Sequence, residues 1–162
     1  MSKIAVVLGS SSDRDVFESI ALILDHFGVS YEKRILSAHR APDLLRDYVH
    51  DAGERGVKVF IGVAGMAAAL PGAIASHTTK PVIGVPAGTK STLGGLDALF
   101  SIVQMPPGIP VAAVSVNGGK NAALLALEIL GLSDKSLEER MDDYRKSQVE
   151  KVVEGDRAFR EE

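Results

Sequence analysis

The chain has 162 residues, enough for one domain that buries roughly 70% of its unfolded surface without a disulfide or metal staple. It has no cysteine, which removes any disulfide framework, thiolate metal site or thiol nucleophile. A net charge of −3, with 5% aromatic residues and no tryptophan, argues against a nucleic-acid surface and against base-stacking platforms.

The first segment, MSKIAVVLGSSSD, holds a short apolar run that ends in Gly and Ser. It reads as a buried strand rather than a secretion signal. No run approaches the roughly 20 apolar residues of a membrane span, so a soluble, cytoplasmic protein is expected. Val16, Ile20, Ile23, Leu24 and Phe27 then recur at the spacing of one helix face, which Gly28 ends. YEKRILS (31–37) is a second, more polar strand. Pro42 to Arg55 reads as a helix closed by Gly56. VKVFIGVAG (57–65), PVIGVP (81–86) and IPVAAVSV (109–116) are three further strands, with helices expected over 67–77, 93–103 and 119–131. From Ser133 onward the chain is charged and helical, and Leu137, Met141, Tyr144, Gln148 and Val152 give it a thin apolar stripe. This helix either packs on its own domain or reaches another subunit.

Strands alternating with helices imply right-handed crossovers and a parallel sheet with helices on both faces. The expected fold is a three-layer α/β/α sandwich, flavodoxin-like or Rossmann-like, with an extended C-terminal helix. Residues 1–132 would form the catalytic part. Residues 133–162 would form a helix and tail of the same domain, expected to contact other subunits.

Ligands of such sheets bind at the carboxyl ends of the strands. Five loops are expected there. GSSSD (9–13) sets hydroxyls and amides at a helix start, which suits an anion. The same residues also serve as helix caps. The phosphate signature GxxxxGK[ST] and the dinucleotide signature GxGxxG are both missing. Asp13 suits a sugar hydroxyl or a cation better than a phosphate. SAHRAP (37–42) sets His39, able to move a proton near neutral pH, beside Arg40, a fork of donors for phosphate or carboxylate. AGMAAALPG (64–72) is made of small residues that let a ligand approach the backbone. VPAGTKSTLGGLD (85–97) adds Lys90 as a candidate anion contact, and QMPPGIP (104–110) is rigid. His26, His50 and His77 fall on helices or their ends without metal-ligand spacing, so no metal is expected.

Taken in order, GSSSD, SAHRAP, AGMAAALPG, GVP (84–86), LDALFSIVQMPPGIPV (96–111) and KNAALLALEILG (120–131) resemble the PurE family, the 5-(carboxyamino)imidazole ribonucleotide mutases of purine biosynthesis. The resemblance covers about residues 3 to 150. It implies a reaction that moves a carboxylate from the exocyclic nitrogen to carbon 4 of an aminoimidazole ribonucleotide, through carbon dioxide held in the site. It implies no ATP, metal or organic cofactor, and a homo-octamer with C-terminal helices between subunits. By the same resemblance His39 is the general acid and base. Ser10 and Arg40 lie near phosphate, while Ser12 and Asp13 belong to the nucleotide loop, with Asp13 near ribose hydroxyls. Ser37 orients His39 or the ligand. Ala64, Gly65, Met66 and Ala67 line the carboxylate pocket.

The chain departs from the family's usual SAHRTP at Ala41, from AGGAAHLPGM at Met66 and Ala69, and from MPRG at Pro107. Ala69 stands where a second loop histidine is common, which implies altered activity, and His77 is too far along the helix to replace it. Three alternatives stand beside the mutase. One is direct carboxylation of aminoimidazole ribonucleotide by carbon dioxide, although that class typically reads SAHK. Another is an altered substrate. The last is a non-catalytic nucleotide sensor on the same architecture.

Overall fold

The apolar runs assemble as a parallel sheet in the computed structural model, which describes residues 2–88 and 93–161. Its strands are β1 (Ile4–Leu8), β2 (Tyr31–Ile35), β3 (Val59–Gly65), β4 (Val82–Ala87) and β5 (Ala112–Ala113). They lie in the order β2-β1-β3-β4-β5, the flavodoxin-like arrangement. Between and after them run α1 (Arg14–His26), α2 (Pro42–Glu54), α3 (Leu70–Ala75), α4 (Leu96–Val103), α5 (Gly119–Gly131) and α6 (Lys135–Glu161). A single 3₁₀ turn, Ser11–Asp13, leads into α1.

Burial follows the order of the strands. Every residue of β1 and β4 is buried, as is β3 up to Ala64, because helices cover both faces. On one face Ala5, Val7, Phe60 and Val82 pack with Leu45, Tyr48 and Val49 of α2, Ile74 of α3 and Ile102 of α4. The strand β2 lies at an edge, where the charged run Glu32, Lys33 and Arg34 is tolerated and discourages pairing with another chain. In α1, Val16, Ile20, Ile23 and Leu24 are buried as their spacing predicts. Burying each such side chain contributes about 1.5–3 kcal/mol.

Two glycines set how near the helices lie to the sheet. Gly62 and Gly84 face each other across β3 and β4. A Cβ on Gly84 would lie 2.4 Å from Ile102 of α4 and 3.2 Å from Pro71 of α3. A Cβ on Gly62 would meet Ile74 and Pro71 at 3.2 Å. The missing side chains form a trough that seats both helices.

Three elements depart most from the bounds the sequence predicts. The third helix begins at Leu70 rather than residue 67, because Met66 and Ala68 have positive φ (56° and 26°) and Pro71 fixes the first turn. The fourth begins at Leu96 rather than residue 93, after Gly94 and Gly95, both at positive φ. The last strand keeps only Ala112–Ala113 of the predicted 109–116. Pro110 has no N–H to give to a ladder. Past Ala113 the chain still tracks β4, since Val114 donates to the Gly84 carbonyl and Asn117 to that of Pro86, but it turns at Ser115–Gly118.

The chain divides into two compact units, Met1–Ala126 and Leu127–Glu162. In the second, Asp134 accepts from the backbone N–H of Leu137 at 3.2 Å and so caps α6. Arg145 pairs with Glu128, and Leu137 and Met141 are buried. Val149, Val152, Val153 and Phe159 of α6 are exposed. No helix among the described residues is long and apolar enough to cross a membrane.

Candidate active site

Where β1, β2, β3 and β4 end, their loops enclose a cavity of about 470 Å³. That lies within the roughly 300–1,000 Å³ usual for small-molecule sites. The sheet order explains the position, since β1 lies between β2 and β3 and the crossovers leave it in opposite directions.

The first wall is the turn after β1. Gly9 donates its N–H to the Val63 carbonyl at 2.9 Å, which ties this loop to the end of β3. The hydroxyl of Ser10 accepts from the Ser12 N–H at 3.3 Å, and Asp13 returns a carboxylate oxygen to the Ser10 N–H at 3.1 Å. This reciprocal pair is a capping box. Ser12 adds a bond from its hydroxyl to Asp13 at 3.4 Å. Asp13 is only 6% exposed, so its carboxylate is spent largely on holding the loop in shape. The cap and the candidate ligand contacts are therefore the same residues.

The second wall is the turn after β2. The Ala41 N–H donates to the Ser37 carbonyl at 2.9 Å. The Ser37 hydroxyl accepts twice from Arg40, from the backbone N–H at 3.2 Å and from Nε at 3.3 Å. Ser37 therefore orients Arg40, in addition to the expected role toward His39 or the ligand. Among the described residues Arg40 pairs with no carboxylate, so its terminal nitrogens are available to an anion. His39 and Arg40 are exposed and both line the cavity. Pro42 opens α2 immediately afterwards, so the turn is anchored by a helix on its far side.

The third wall comes from β3. Ala64 and Gly65 end the strand, and Met66 to Ala69 form the turn. Gly65 lies against the end of β4, where a Cβ would come 2.8 Å from the Ala87 carbonyl oxygen. The Ala68 N–H closes the turn on the Gly65 carbonyl at 3.1 Å. Holding a residue with a side chain in the left-handed region costs about 1–2 kcal/mol, and this turn does so at Met66.

All ten residues singled out in the sequence line this one cavity: Ser10, Ser12, Asp13, Ser37, His39, Arg40, Ala64, Gly65, Met66 and Ala67. Six further lining residues were not selected as site residues: Gly9, Ala38, Ala68, Ala69, Leu70 and Ala87. Ala87 carries no chemical signal, and only the pairing of β4 with β3 brings it here. The fifth loop, 104–110, does not line the cavity; its Met105 packs close to Gly72. Lys90 lies outside the described residues. The rings of His50 and His77 lie 6.0 Å apart, neither lining this cavity.

The pattern of loops has close relatives. The family model described as AIR carboxylase matches residues 3–151. An N5-carboxyaminoimidazole ribonucleotide mutase of Pyrococcus abyssi is 52% identical over 145 residues, covering 90% of this chain and 83% of that protein. A chloroplastic phosphoribosylaminoimidazole carboxylase of Vigna aconitifolia is 51% identical over 152 residues, covering 93% of this chain but 27% of that longer protein. The crystal structure of Treponema denticola PurE superposes with a TM-score of 0.85 at 33% identity, over 93% of this chain and 94% of that one. With the match running through every wall of the cavity, the chain belongs to the AIR carboxylase family.

Proposed function

We propose that this protein is an isomerase of purine biosynthesis that converts 5-(carboxyamino)imidazole ribonucleotide into 4-carboxy-5-aminoimidazole ribonucleotide. The observation that carries the reading is the convergence of His39, Arg40 and the Ser10–Asp13 loop on one cavity beside the small-residue turn after β3. Each wall then has a task. Ser10 and Arg40 receive the phosphate, Arg40 with its terminal nitrogens. Ser12 and Asp13 take ribose hydroxyls, Asp13 with whatever lone pairs the capping box leaves. Ala64, Gly65, Met66 and Ala67 bound the space for the migrating carboxylate, where nearby backbone amides serve as donors.

The nitrogen–carbon bond of the substrate's carboxyamino group breaks and its electron pair stays on nitrogen, which takes a proton from His39. Carbon dioxide is left beside the ring. Carbon 4 attacks it, the new carbon–carbon bond forms, and the carbon 4 proton passes back to His39. One imidazole thus serves as acid and then base, and the overall step consumes no proton. Confinement next to carbon 4 replaces an encounter in solution, which is the main gain the cavity offers.

The reading extends to a cytoplasmic enzyme working without a cofactor. It assembles as a homo-octamer, with residues 133–162 forming contacts between subunits. The exposed Val149, Val152, Val153 and Phe159 of α6 support that role. Direct carboxylation of aminoimidazole ribonucleotide is the second reading, favoured by the identity to the Vigna carboxylase.

Turnover of each substrate by the purified protein separates the two. Conversion of the carboxyamino nucleotide at low bicarbonate is expected, with the aminoimidazole nucleotide carboxylated only at high carbon dioxide. Activity confined to the latter would make the protein a carboxylase. His39→Asn is expected to lose turnover by at least about a thousandfold while nucleotide affinity stays within about tenfold. Substantial residual turnover would remove His39 from the proton-transfer role.

A further inference from the structure

Met66 bounds the space for the migrating carboxylate, but the chemistry above gives its long side chain no task of its own. Its backbone sits at φ 56°, a conformation that glycine adopts freely and methionine does not. Strain of this kind is often repaid by core packing, yet Met66 is 65% exposed and gains little burial. Strained residues persist at sites where the strain serves the mechanism. Met66 also lines the cavity while staying largely exposed, which suits a position at its rim. Around it the turn offers only the small side chains of Ala64, Ala67, Ala68 and Ala69. The methionine is the longest apolar group on this wall and, unlike the buried Leu70, is exposed, with three rotatable bonds to fold over a small molecule.

Carbon dioxide poses a particular problem in such a site. It is neutral and apolar, so neither Arg40 nor the loop amides hold it as they hold a phosphate. Only a closed wall keeps it beside carbon 4 until the new bond forms. We infer that Met66 is the cap over released carbon dioxide, suppressing its escape during the transfer. The inference rests on the mutase reading. Escape leaves a definite trace: the carbon–nitrogen bond has broken and nitrogen is protonated, but no carbon–carbon bond follows, so aminoimidazole ribonucleotide and free carbon dioxide are released.

The experiment measures partition. The carboxyamino nucleotide is supplied to the wild type, Met66→Gly and Met66→Leu. Carboxylated product and aminoimidazole ribonucleotide are quantified against an enzyme-free control. Met66→Gly is expected to raise the leaked fraction about fivefold, with nucleotide Kd within about twofold. Its Tm should equal or exceed the wild type's, since the backbone strain is relieved. Met66→Leu should restore most of the retention. A purely structural role moves Tm without moving partition. Equal partition in wild type and Met66→Gly would overturn the cap. A wild type that forms no carboxylated product from this substrate would instead overturn the mutase reading, and the cap with it.

Discussion

Ser37 shows how a small residue governs a large one. Its hydroxyl accepts both the backbone N–H and Nε of Arg40, which fixes the guanidinium plane before any anion arrives. Ser37→Ala should leave Tm nearly unchanged and raise KM about tenfold, because the fork must then be ordered on binding. An unchanged KM would mean that Arg40 needs no support. Tyr48 presents the opposite case, a polar group with no visible task. Its hydroxyl is buried without a hydrogen-bond partner. Burial first, and then the charge of Glu32, push the phenol well above its ordinary range. The folded state therefore holds this proton more tightly than the unfolded chain. Its contribution is fully present below about pH 10 and declines as pH rises above that toward the folded value. Tyr48→Phe should be neutral or stabilising at pH 7 and should lose stability less steeply above pH 10, as urea melts across that range would record. A steeper alkaline loss in the variant would contradict this account. At this scale the sequence was informative where chemistry is rare. A histidine followed by an arginine in a loop is conspicuous, whereas Ala87 and Ala38 have nothing to signal with. The bonds from Arg40 to Ser37 depend on a turn geometry that spacing alone does not specify.

Among the described residues, the sequence pattern located each α-helix and strand, and the misses fall at ends. Positive φ at Met66 and Ala68 delays α3, and two glycines delay α4. No periodic signal encodes such turns, because they depend on backbone torsion at single residues. The sheet order was not legible either, since crossover connections allow several parallel arrangements with the same local pattern. Gly84 tests how the elements are seated. Gly84→Ala sets a methyl group against Ile102, Val111 and Pro71. It should cost about 1–3 kcal/mol in thermal or chemical melts. No loss would mean that α3 and α4 can shift without penalty.

Over the whole molecule, the acidic, cysteine-free chain builds its candidate site from loops at one end of the sheet, and its second unit carries the 27-residue helix α6. The function of that helix was the least legible part, because a thin apolar stripe serves its own domain or a neighbour equally well. Val149, Val152, Val153 and Phe159 now give it exposed apolar surface to cover. If the proposed octamer forms, truncation after Gly131 should shift it to smaller species by light scattering; an undiminished oligomer would assign its contacts elsewhere. The glycine trough carries a consequence for how such a protein would look to genetics. Pro71, which fills the trough, lies two residues after the turn that forms a wall of the cavity. A saturation screen scored only on purine prototrophy would return Gly62 and Gly84 beside His39. Two positions with no side chain and no ligand contact would pass for catalytic residues, until assays on purified protein separated lost chemistry from lost protein.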